Sequence, residues 1–408
     1  MRVIIWGINY APEFTGIAPH NVALCEFLRE RGHDAQMVTT FAYYPTWRKR
    51  AEDHGQLYRT EVINGVPVHR CWHFVPRRVN AWKRILHEGS FIVTSTIFTL
   101  LQARADVYVI VSPPLLLGAA AWLVTTIKSA PFVFHVQDLQ PDAAVGLGMI
   151  HPGWFTRALY ALERLAYDKA SKVSGISQEI LGAFRRKGVP EQKLIYFPNS
   201  VVIPKDSDQP PRGKFRSKYN LSPNEFLAVY AGNLGVKQGL GMLIDAARLV
   251  KNPRVRIVIC GDGAARESLE QRIRDENLPN VSLLPLQEAS EYPALLMDTD
   301  VNLITQLSGS GNAFFPSKLL HMLAYGSAVV TVADEGSALA EAVRTGGFGF
   351  NVWPGDTASL AATFDELAGN PAILRQYSVA CRDFVQRFER TGVLEDFFRR
   401  LESLVTDA

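Results

Sequence analysis

Residues 2–17 read RVIIWGINYAPEFTGI, an apolar run that passes through a turn into a predicted helix. β-Branched and aromatic residues in a short apolar run indicate a buried strand. The same strand–helix order repeats over the first half of the chain. The predicted strands lie near 2–8, 34–39, 62–70, 107–111, 131–136 and 194–197, and the helices near 16–31, 80–103, 115–128, 153–170 and 177–187. This alternation predicts a parallel sheet covered by helices on both faces.

A second unit of the same kind follows residues 203–211 (IPKDSDQPP), a polar, proline-rich segment typical of a linker. After it, strands are predicted near 226–231, 255–260, 281–284, 300–304, 327–332 and 348–352, and helices near 239–250, 264–277, 290–297, 316–325, 336–344, 357–369, 371–388 and 391–405. The sequence therefore predicts an α/β protein with two doubly wound, Rossmann-like domains, residues 1–198 and 199–390, facing each other across a cleft. In such sheets, ligands bind beyond the carboxyl ends of the strands.

Composition and charge limit the class of protein. Of 408 residues, 47% are hydrophobic and 20% are charged, which is enough apolar material for two cores and excludes extensive disorder. The net charge of +3 is too small for a general nucleic-acid binder, so we predict no nucleic-acid partner. Residues 1–200 hold 22 Lys and Arg against 15 Asp and Glu. The first domain could therefore face an anionic membrane surface, although chance scatter of surface charge is the alternative.

Residues 107–127 carry no charge and are long enough to span a membrane. They contain Ser112-Pro113-Pro114, and prolines there would break a spanning helix. We therefore predict a buried strand, a turn and a separate helix.

Two strand ends in the first domain carry residues that could take part in chemistry. Gly16 stands at a predicted helix start, where unpaired N–H groups bind an anion well, although an ordinary capped turn would look the same. His135 and Asp138 lie at the end of the strand near 131–136. His135 could donate a proton and Asp138 could orient or deprotonate a hydroxyl, whereas the alternative is a loop whose acids cap the next turn.

Loops of the second domain suggest an anion site. In residues 232–239 (GNLGVKQG), glycines let the backbone approach a ligand, and Lys237 offers a cation suited to a diphosphate. Gly261 and Gly263 form a tight turn with room for a base or ribose, or a bare turn without a ligand.

Residues 308–321 (SGSGNAFFPSKLLH) form the richest polar segment. Pro316 falls in the first turn of a predicted helix, and the free N–H groups there, with Ser317 and Lys318, predict phosphate binding. His321 lies one turn after Lys318 on the same face. A flexible loop ahead of a core helix is the alternative.

Asp298-Thr299-Asp300 has the spacing of a metal-binding DxD sequence. Because it joins a helix end to an apolar strand, we interpret it as structural and predict that no metal is required.

Basic and aromatic residues in the first domain could lie in a membrane interface. They are Tyr43, Tyr44, Trp47 and residues 48–50, followed by Arg77, Arg78, Trp82, Lys83 and Arg84. A helix that begins with Trp and basic residues ahead of an apolar run can lie on a membrane surface. A solvated edge packed on the sheet is the alternative.

These stretches together resemble the family-4 retaining glycosyltransferases of the GT-B fold, in particular their exopolysaccharide branch. The matching stretches are residues 7–17 (GINYAPEFTGI), 43–47 (YYPTW), 136–142 (VQDLQPD), 232–240 (GNLGVKQGL) and 316–319 (PSKL). The resemblance implies that the helix near 391–405 returns to complete the first domain.

The resemblance also implies a nucleoside-diphosphate sugar donor, bound mainly by the second domain. The implied donor-binding residues are Gly16, Asn233, Lys237, Gly261, Gly263, Pro316, Ser317, Lys318 and His321. His135 or Asp138 would stand near the reacting sugar as the catalytic residue. The acceptor or membrane side would hold Glu13, Tyr43, Trp47, Arg77, Arg78, Trp82, Lys83 and Arg84.

Three positions depart from the family pattern. Most members carry two glutamates eight positions apart, and here those positions are Ala313 and His321. His321 could hold ribose hydroxyls through a ring nitrogen, whereas Ala313 has no polar group to touch the donor sugar. A basic residue often found after the opening glycine is here Asn233.

The implied reaction moves a sugar from its donor to a lipid-linked saccharide with retention of configuration. GDP-fucose or GDP-mannose is the favoured donor, and a UDP-sugar is second. No cofactor is expected, and the protein would be cytoplasmic and peripheral on the inner face of the plasma membrane. Two alternatives stay open: a nucleotide-sugar epimerase of the same fold, and a catalytically inactive membrane-associated partner of a polysaccharide assembly complex.

Overall fold

The computed structural model describes residues 1–78, 80–146, 153–309 and 317–406. The chain forms two compact units, each described by itself below. One is Met1–Ser200 together with Thr391–Ala408, and the other is Val201–Arg390.

Among the described residues, the first unit forms a sheet of eight strands in the order β3-β4-β2-β1-β5-β6-β7-β8. The strands are β1 (Arg2–Trp6), β2 (Asp34–Thr40), β3 (Tyr58–Ile63), β4 (Val66–Cys71), β5 (Val107–Ser112), β6 (Phe132–Val136), β7 (Lys172–Gly175) and β8 (Leu194–Tyr196). β3 and β4 pair antiparallel, and the other described pairs are parallel. The strand order reverses between β1 and β5, and such a switch point is where ligands bind in this class of sheet.

Helices cover both faces of this sheet. They are α1 (Ala18–Glu30), α2 (Ala81–Leu101), α3 (Leu117–Lys128), α4 (Gln140–Gly146), α5 (Trp154–Lys169) and α6 (Gln178–Arg186). Successive residues of a strand point to opposite faces, so Ile4 and Trp6 enter one buried cluster while Val3 and Ile5 enter another. Burial on both faces explains why the strands are apolar throughout.

Over the part of the chain that the structure describes, the second unit forms a sheet of six parallel strands in the order β11-β10-β9-β12-β13-β14. The strands are β9 (Phe226–Asn233), β10 (Val255–Asp262), β11 (Val281–Leu284), β12 (Val301–Thr305), β13 (Ala328–Val332) and β14 (Gly349–Val352). Its order reverses between β9 and β12, so the loops after these strands open at a second switch point.

The remaining helices follow in chain order. They are α7 (Lys214–Lys218), α8 (Gly241–Ala247), α9 (Arg266–Asp275), α10 (Tyr292–Asp298), α11 (Ser317–Ala324), α12 (Ala338–Gly346), α13 (Thr357–Gly369), α14 (Pro371–Val385) and α15 (Arg390–Thr406). From α15, Val393, Leu394 and Phe397 join the buried cluster that contains Val3 and Ile5, so this helix packs on the first unit.

The predicted fold class, two doubly wound parallel-sheet units, is confirmed, but one predicted strand was wrong. The run near 62–70 is a hairpin, in which Asn64 and Gly65 turn the chain between β3 and β4 with φ of 50° and 78°. Asn-Gly between two apolar runs favours this tight turn, because both of its central residues need positive φ. The short elements β7 and α4 were not predicted.

The uncharged residues 107–127 divide into β5 and α3, as predicted. No helix in the described part of the chain qualifies as a transmembrane span.

Candidate functional site

The loops after β9 and β10 pack tightly against each other. A side chain at Gly261 would overlap the carbonyl oxygen of Gly232, and one at Gly263 would come within 2.6 Å of Asn233 Oδ1. Gly232 and Gly263 have φ of 147° and 150°, which side chains disfavour. On the side where a side chain would stand, atoms of the neighbouring loop fill the space, so the predicted room for a base or ribose at Gly261 and Gly263 does not lie on that side. Their part in donor binding stays a prediction.

Lys318 lies beside the end of β9. Its Nζ is 4.1 Å from the centre of the Tyr230 ring and 3.5 Å from the carbonyl oxygen of Ala231. No carboxylate among the described residues forms an ion pair with it, and burial of the half-buried side chain lowers its pKa to about 7. A cation without a countercharge at a switch point can receive an anion. Sequence reasoning missed Tyr230, because in the apolar run of β9 it looks like any other buried strand residue.

Lys237 follows β9 on an exposed segment. Its carbonyl oxygen accepts a hydrogen bond from Leu307 N at 3.0 Å. Gly309 N donates to Asp334 Oδ2 at 2.6 Å, so the segment after β12 is held on both sides. Asp334 is a positioning residue that sequence reasoning missed, although an acid just beyond the end of an apolar strand is the signal that could have found it.

The helix α11 contains three of the predicted donor-binding residues in described positions, one of which is Lys318. Ser317 begins the helix, and His321 is exposed one turn after Lys318. Pro316 and Ala313 lie outside the described residues. The predicted phosphate site at the start of α11 therefore stays a prediction, supported by Lys318.

Glu13 is buried and not on an outer surface, and its predicted place on the acceptor side stays a prediction. Its buried carboxylate accepts hydrogen bonds from Tyr43 N at 2.9 Å and Tyr44 N at 2.8 Å, and from Asn9 Nδ2 at 2.8 Å. These bonds join the loop after β1 to the segment that follows β2. Gly16, in the same loop, is exposed and has a φ of 64°.

His135 does not project beyond its strand, as had been expected of a catalytic residue. It is 3% exposed and lies within β6, where its Nδ1 is 2.8 Å from Ser174 Oγ and its Nε2 is 2.9 Å from Gln137 Nε2. Burial lowers its pKa to about 3. The expectation is corrected because residues inside a strand of a doubly covered sheet point into packed layers. Sequence reasoning missed Gln137.

Asp138 is the acid that lies beyond the end of β6. The residue is half-buried, and burial raises the pKa of its carboxyl, while the Arg84 charge on α2 offsets part of that effect. A carboxylate in this environment can orient a hydroxyl or accept its proton. Of the two predicted catalytic residues, Asp138 has the better placement.

The predicted basic and aromatic residues separate into two groups. Tyr43 is buried and packs against Trp47 and His87, with ring centres 5.3 and 4.5 Å away, so its predicted surface position is corrected. Trp47 is half-buried in this aromatic cluster. Arg77, Arg78, Trp82 and Arg84 are exposed at or just before the start of α2, and Lys83 is half-buried. Arg84 pairs with Glu88 at 3.0 Å.

Asp298 and Asp300 are both engaged within the second unit. Asp298 caps α7 by accepting from Phe215 N at 2.8 Å and Arg216 N at 3.0 Å. Asp300 accepts from Arg216 Nη2 at 2.8 Å and from Leu227 N at 2.7 Å. These bonds support the structural interpretation of the DxD spacing, and metal independence stays a prediction.

A cavity of about 600 Å³ lies in the first unit beside α5 and α6. Its described lining includes none of the predicted site residues. Lys187 within it pairs with Asp142 and, at 2.6 Å, with Glu163, so the charge of this lysine is already paired with carboxylates.

Comparison with known proteins agrees with this architecture. Residues 15–200 match the glycosyl transferase 4-like domain, and residues 211–382 match the glycosyl transferases group 1. Colanic acid biosynthesis glycosyl transferase WcaI of Escherichia coli (strain K12) is 31% identical over 409 residues, which are 97% of this chain and 98% of the relative. Glycosyltransferase WbjE of Pseudomonas aeruginosa is 23% identical over 269 residues, or 65% of this chain and 66% of the relative.

Solved structures share the fold over the whole chain. HepE of Anabaena, crystallised with UDP, has a TM-score of 0.70 at 18% identity and covers 99% of this chain and 100% of its own. Sucrose-phosphate synthase of Thermosynechococcus elongatus has a TM-score of 0.75 at 16% identity, with 100% of each chain covered. The two matched domains and the similarity to WcaI together show that the chain belongs to the family-4 glycosyltransferases of the GT-B fold.

Proposed function

We propose that this glycosyltransferase moves a sugar, with retention of its anomeric configuration, from a nucleoside-diphosphate sugar to a lipid-linked saccharide in exopolysaccharide biosynthesis. A GDP-sugar such as GDP-fucose or GDP-mannose is the favoured donor. The observation that carries the proposal is Lys318, a desolvated cation at the end of β9 that no described carboxylate neutralises. A bound diphosphate would supply the missing negative charge.

The proposed reaction breaks the bond between the anomeric carbon and a phosphate oxygen. The acceptor hydroxyl oxygen forms the new bond on the same face, and its proton passes to the departing phosphate or to a base. Lys318, Lys237 and the first N–H groups of α11 would stabilise the charge on the leaving oxygen without a metal ion. Asp138 would orient the acceptor hydroxyl or accept its proton.

A UDP-sugar is the second candidate donor. HepE, whose fold this chain shares, has been crystallised with UDP and with UDP-glucose. His321, exposed on α11 one turn after Lys318, could contact the ribose of either nucleotide through its ring.

Thermal unfolding with a panel of nucleotides tests the donor. The panel contains GDP, UDP, ADP, CMP, dTDP and their common sugars. A ligand at 100 times its Kd stabilises the folded protein by about 2.7 kcal/mol, which shifts Tm by a few degrees. We expect a selective shift with GDP, and Lys318→Ala should weaken diphosphate binding by about 1.5–3 kcal/mol. Lys251→Ala removes an exposed lysine elsewhere in the second unit and should leave the shift unchanged.

The outcomes of this test differ clearly. A selective shift with UDP would replace the favoured donor by the second candidate. Wild-type affinity in Lys318→Ala would refute the diphosphate placement, and no shift with any nucleotide would contradict the donor proposal. Transfer from the selected donor to a polyprenyl-diphosphate-linked saccharide, with the anomeric configuration read by NMR, then tests acceptor class and retention.

We also propose that α2 brings the protein to the anionic membrane surface where such an acceptor resides. The exposed apolar residues Trp82, Leu86, Val93, Ile97 and Leu101 recur at spacings of four and seven along α2. This spacing puts them on one side of the helix, and Arg77 and Arg78 precede its start. Such a helix can lie in the membrane interface with its apolar side toward the lipid.

A further inference from the structure

We propose that His135 is a positioning residue of the transfer reaction, which holds the end of β6, and with it Asp138, against the segment by which the chain leaves the first unit. This inference rests on the proposed function. It replaces the acid or base role that the sequence suggested for this histidine.

The hydrogen bonds around His135 fix a single neutral tautomer. The amide nitrogen of Gln137 is 2.9 Å from His135 Nε2 and donates to Asn199 Oδ1 at 3.1 Å. An amide nitrogen carries two hydrogens and has no acceptor capacity, so His135 Nε2 must accept one of them. The proton of the ring is then on Nδ1, which donates to Ser174 Oγ at 2.8 Å.

A ring held in this way is unsuited to proton transfer at neutral pH. A second proton would sit on Nε2, facing the N–H of Gln137, and its charge would be buried in a packed interior. Burial, with a further contribution in the same direction from the His20 charge, lowers the pKa of His135 to about 3. The cavity beside His135 measures about 10 Å³, room for one water molecule at most, so no sugar reaches the ring.

The same imidazole joins parts of the chain that are distant in sequence. Its ring centre lies 4.9 Å from that of Phe197, and Phe197 stacks on Phe397 of α15 at 3.8 Å with an angle of 6° between the rings. Asn199 lies directly before Ser200, the last residue of the first unit before the chain passes into the second. His135 therefore connects β6 and β7 with the segment that leaves the unit and with the helix that returns to it.

Two conservative substitutions separate positioning from chemistry. In His135→Gln, the amide oxygen can take the place of Nε2 and accept from Gln137. In His135→Asn, the shorter amide can take the place of Nδ1 and keep only the bond to Ser174. Because a buried donor left without a partner is costly, we expect kcat to fall about tenfold or more in His135→Asn. His135→Gln should keep kcat within about threefold of wild type, with KM little changed in either variant.

Activity is measured as transfer from whichever of GDP-fucose, GDP-mannose or UDP-glucose the wild type uses. The pH–rate profile of His135→Gln should match that of wild type. His135→Gln and His135→Asn could both keep the wild-type Tm and yet lose activity equally and severely. Together with a changed pH–rate profile of His135→Gln, that result would overturn the inference in favour of an acid or base role.

A second measurement does not depend on turnover. In ¹⁵N NMR of the full chain, the His135 ring should show a protonated Nδ1 and an unprotonated Nε2 from pH 5 to 8, with His135→Gln used to assign the signal. Hydrogen exchange of residues 197–200 and of the start of α15 should speed up in His135→Asn but not in His135→Gln. A titrating ring or unchanged exchange in both variants would refute positioning, whereas absence of turnover in the wild type alone would refute only the proposed function.

Discussion

At the scale of single residues, the burial of Lys318 should make donor binding depend on pH. Its pKa is about 7 because burial disfavours the charged form. A diphosphate beside it favours the charged form and raises that pKa, so binding takes up a proton above about pH 7. Affinity is then greatest below pH 7 and falls by up to about tenfold per pH unit above it, until the pKa of the complex is reached.

Calorimetric titration with GDP-mannose measures this effect. Its diphosphate is substituted at both ends and has no group that titrates near neutral pH, so the protein supplies the proton change. Heats in two buffers of different ionisation enthalpy should reveal proton uptake at pH 8, and Lys318→Met should abolish it. Affinity that stays constant from pH 6 to 9 in the wild type would contradict the mechanism.

Gly261 offers a second prediction at this scale. A methyl group there would overlap the carbonyl oxygen of Gly232, so Gly261→Ala must move the loop after β9. We expect a loss of about 1–3 kcal/mol in the free energy of unfolding, measured with urea, together with weaker donor binding. Gly369→Ala is the matched control, because a methyl group at Gly369 meets no atom within 4 Å. Equal stability of the two variants would count against tight packing of these loops.

The sequence predicted well which strand ends carry polar residues. It predicted less well which of those side chains lie beyond the strand. His135 and Asp138 both looked suited to chemistry, but His135 lies inside β6 and Asp138 beyond it. The difference depends on the residue at which β6 ends. An apolar run does not reveal whether a histidine near its end still belongs to the strand. The bonds from Glu13 to the segment after β2 also depend on tertiary packing that no local pattern encodes.

At the scale of elements, α2 should govern membrane binding. Changing Arg77, Arg78, Lys83 and Arg84 together to Gln removes four cations at its start, each contributing about 1 kcal/mol near an anionic surface. We expect sedimentation with phosphatidylglycerol vesicles to fall strongly, and Val93→Gln with Ile97→Gln to reduce the binding that remains at high salt.

The matched control changes four exposed basic residues of the second unit to Gln. They are Lys205, Arg212, Lys251 and Arg375. This variant has the same net charge as the first, so a general charge effect would weaken vesicle binding equally in both. Unchanged sedimentation of the α2 variant would mean that this helix is a solvated edge of the unit.

The elements themselves were largely predictable, because continuous apolar strands and long amphipathic helices leave strong periodic patterns. The failures were short or interrupted elements. Asn64-Gly65 divides one apparent strand into a hairpin, and only the turn chemistry of that dipeptide shows it. The strand β7 has four residues and begins with Lys172, so its pattern was too brief to stand out.

At the scale of the whole molecule, transfer should need no metal ion. Asp298 and Asp300 already bind backbone N–H groups and Arg216, and the leaving diphosphate would instead be stabilised by Lys237 and Lys318. Activity should therefore be unchanged after treatment with EDTA. Loss of activity that manganese restores would contradict this prediction and would favour a metal site at Asp298 and Asp300.

The packing of α15 on the first unit has a consequence for synthesis in the cell. Residues 1–200 leave the ribosome well before Val393, Leu394 and Phe397 are made, so part of the apolar cluster around Val3 and Ile5 stays uncovered during elongation. A chain that stops before α15 exposes that surface permanently and becomes a target for chaperones and proteases. The core that the first residues of the unit begin is therefore covered only after α15 has been made.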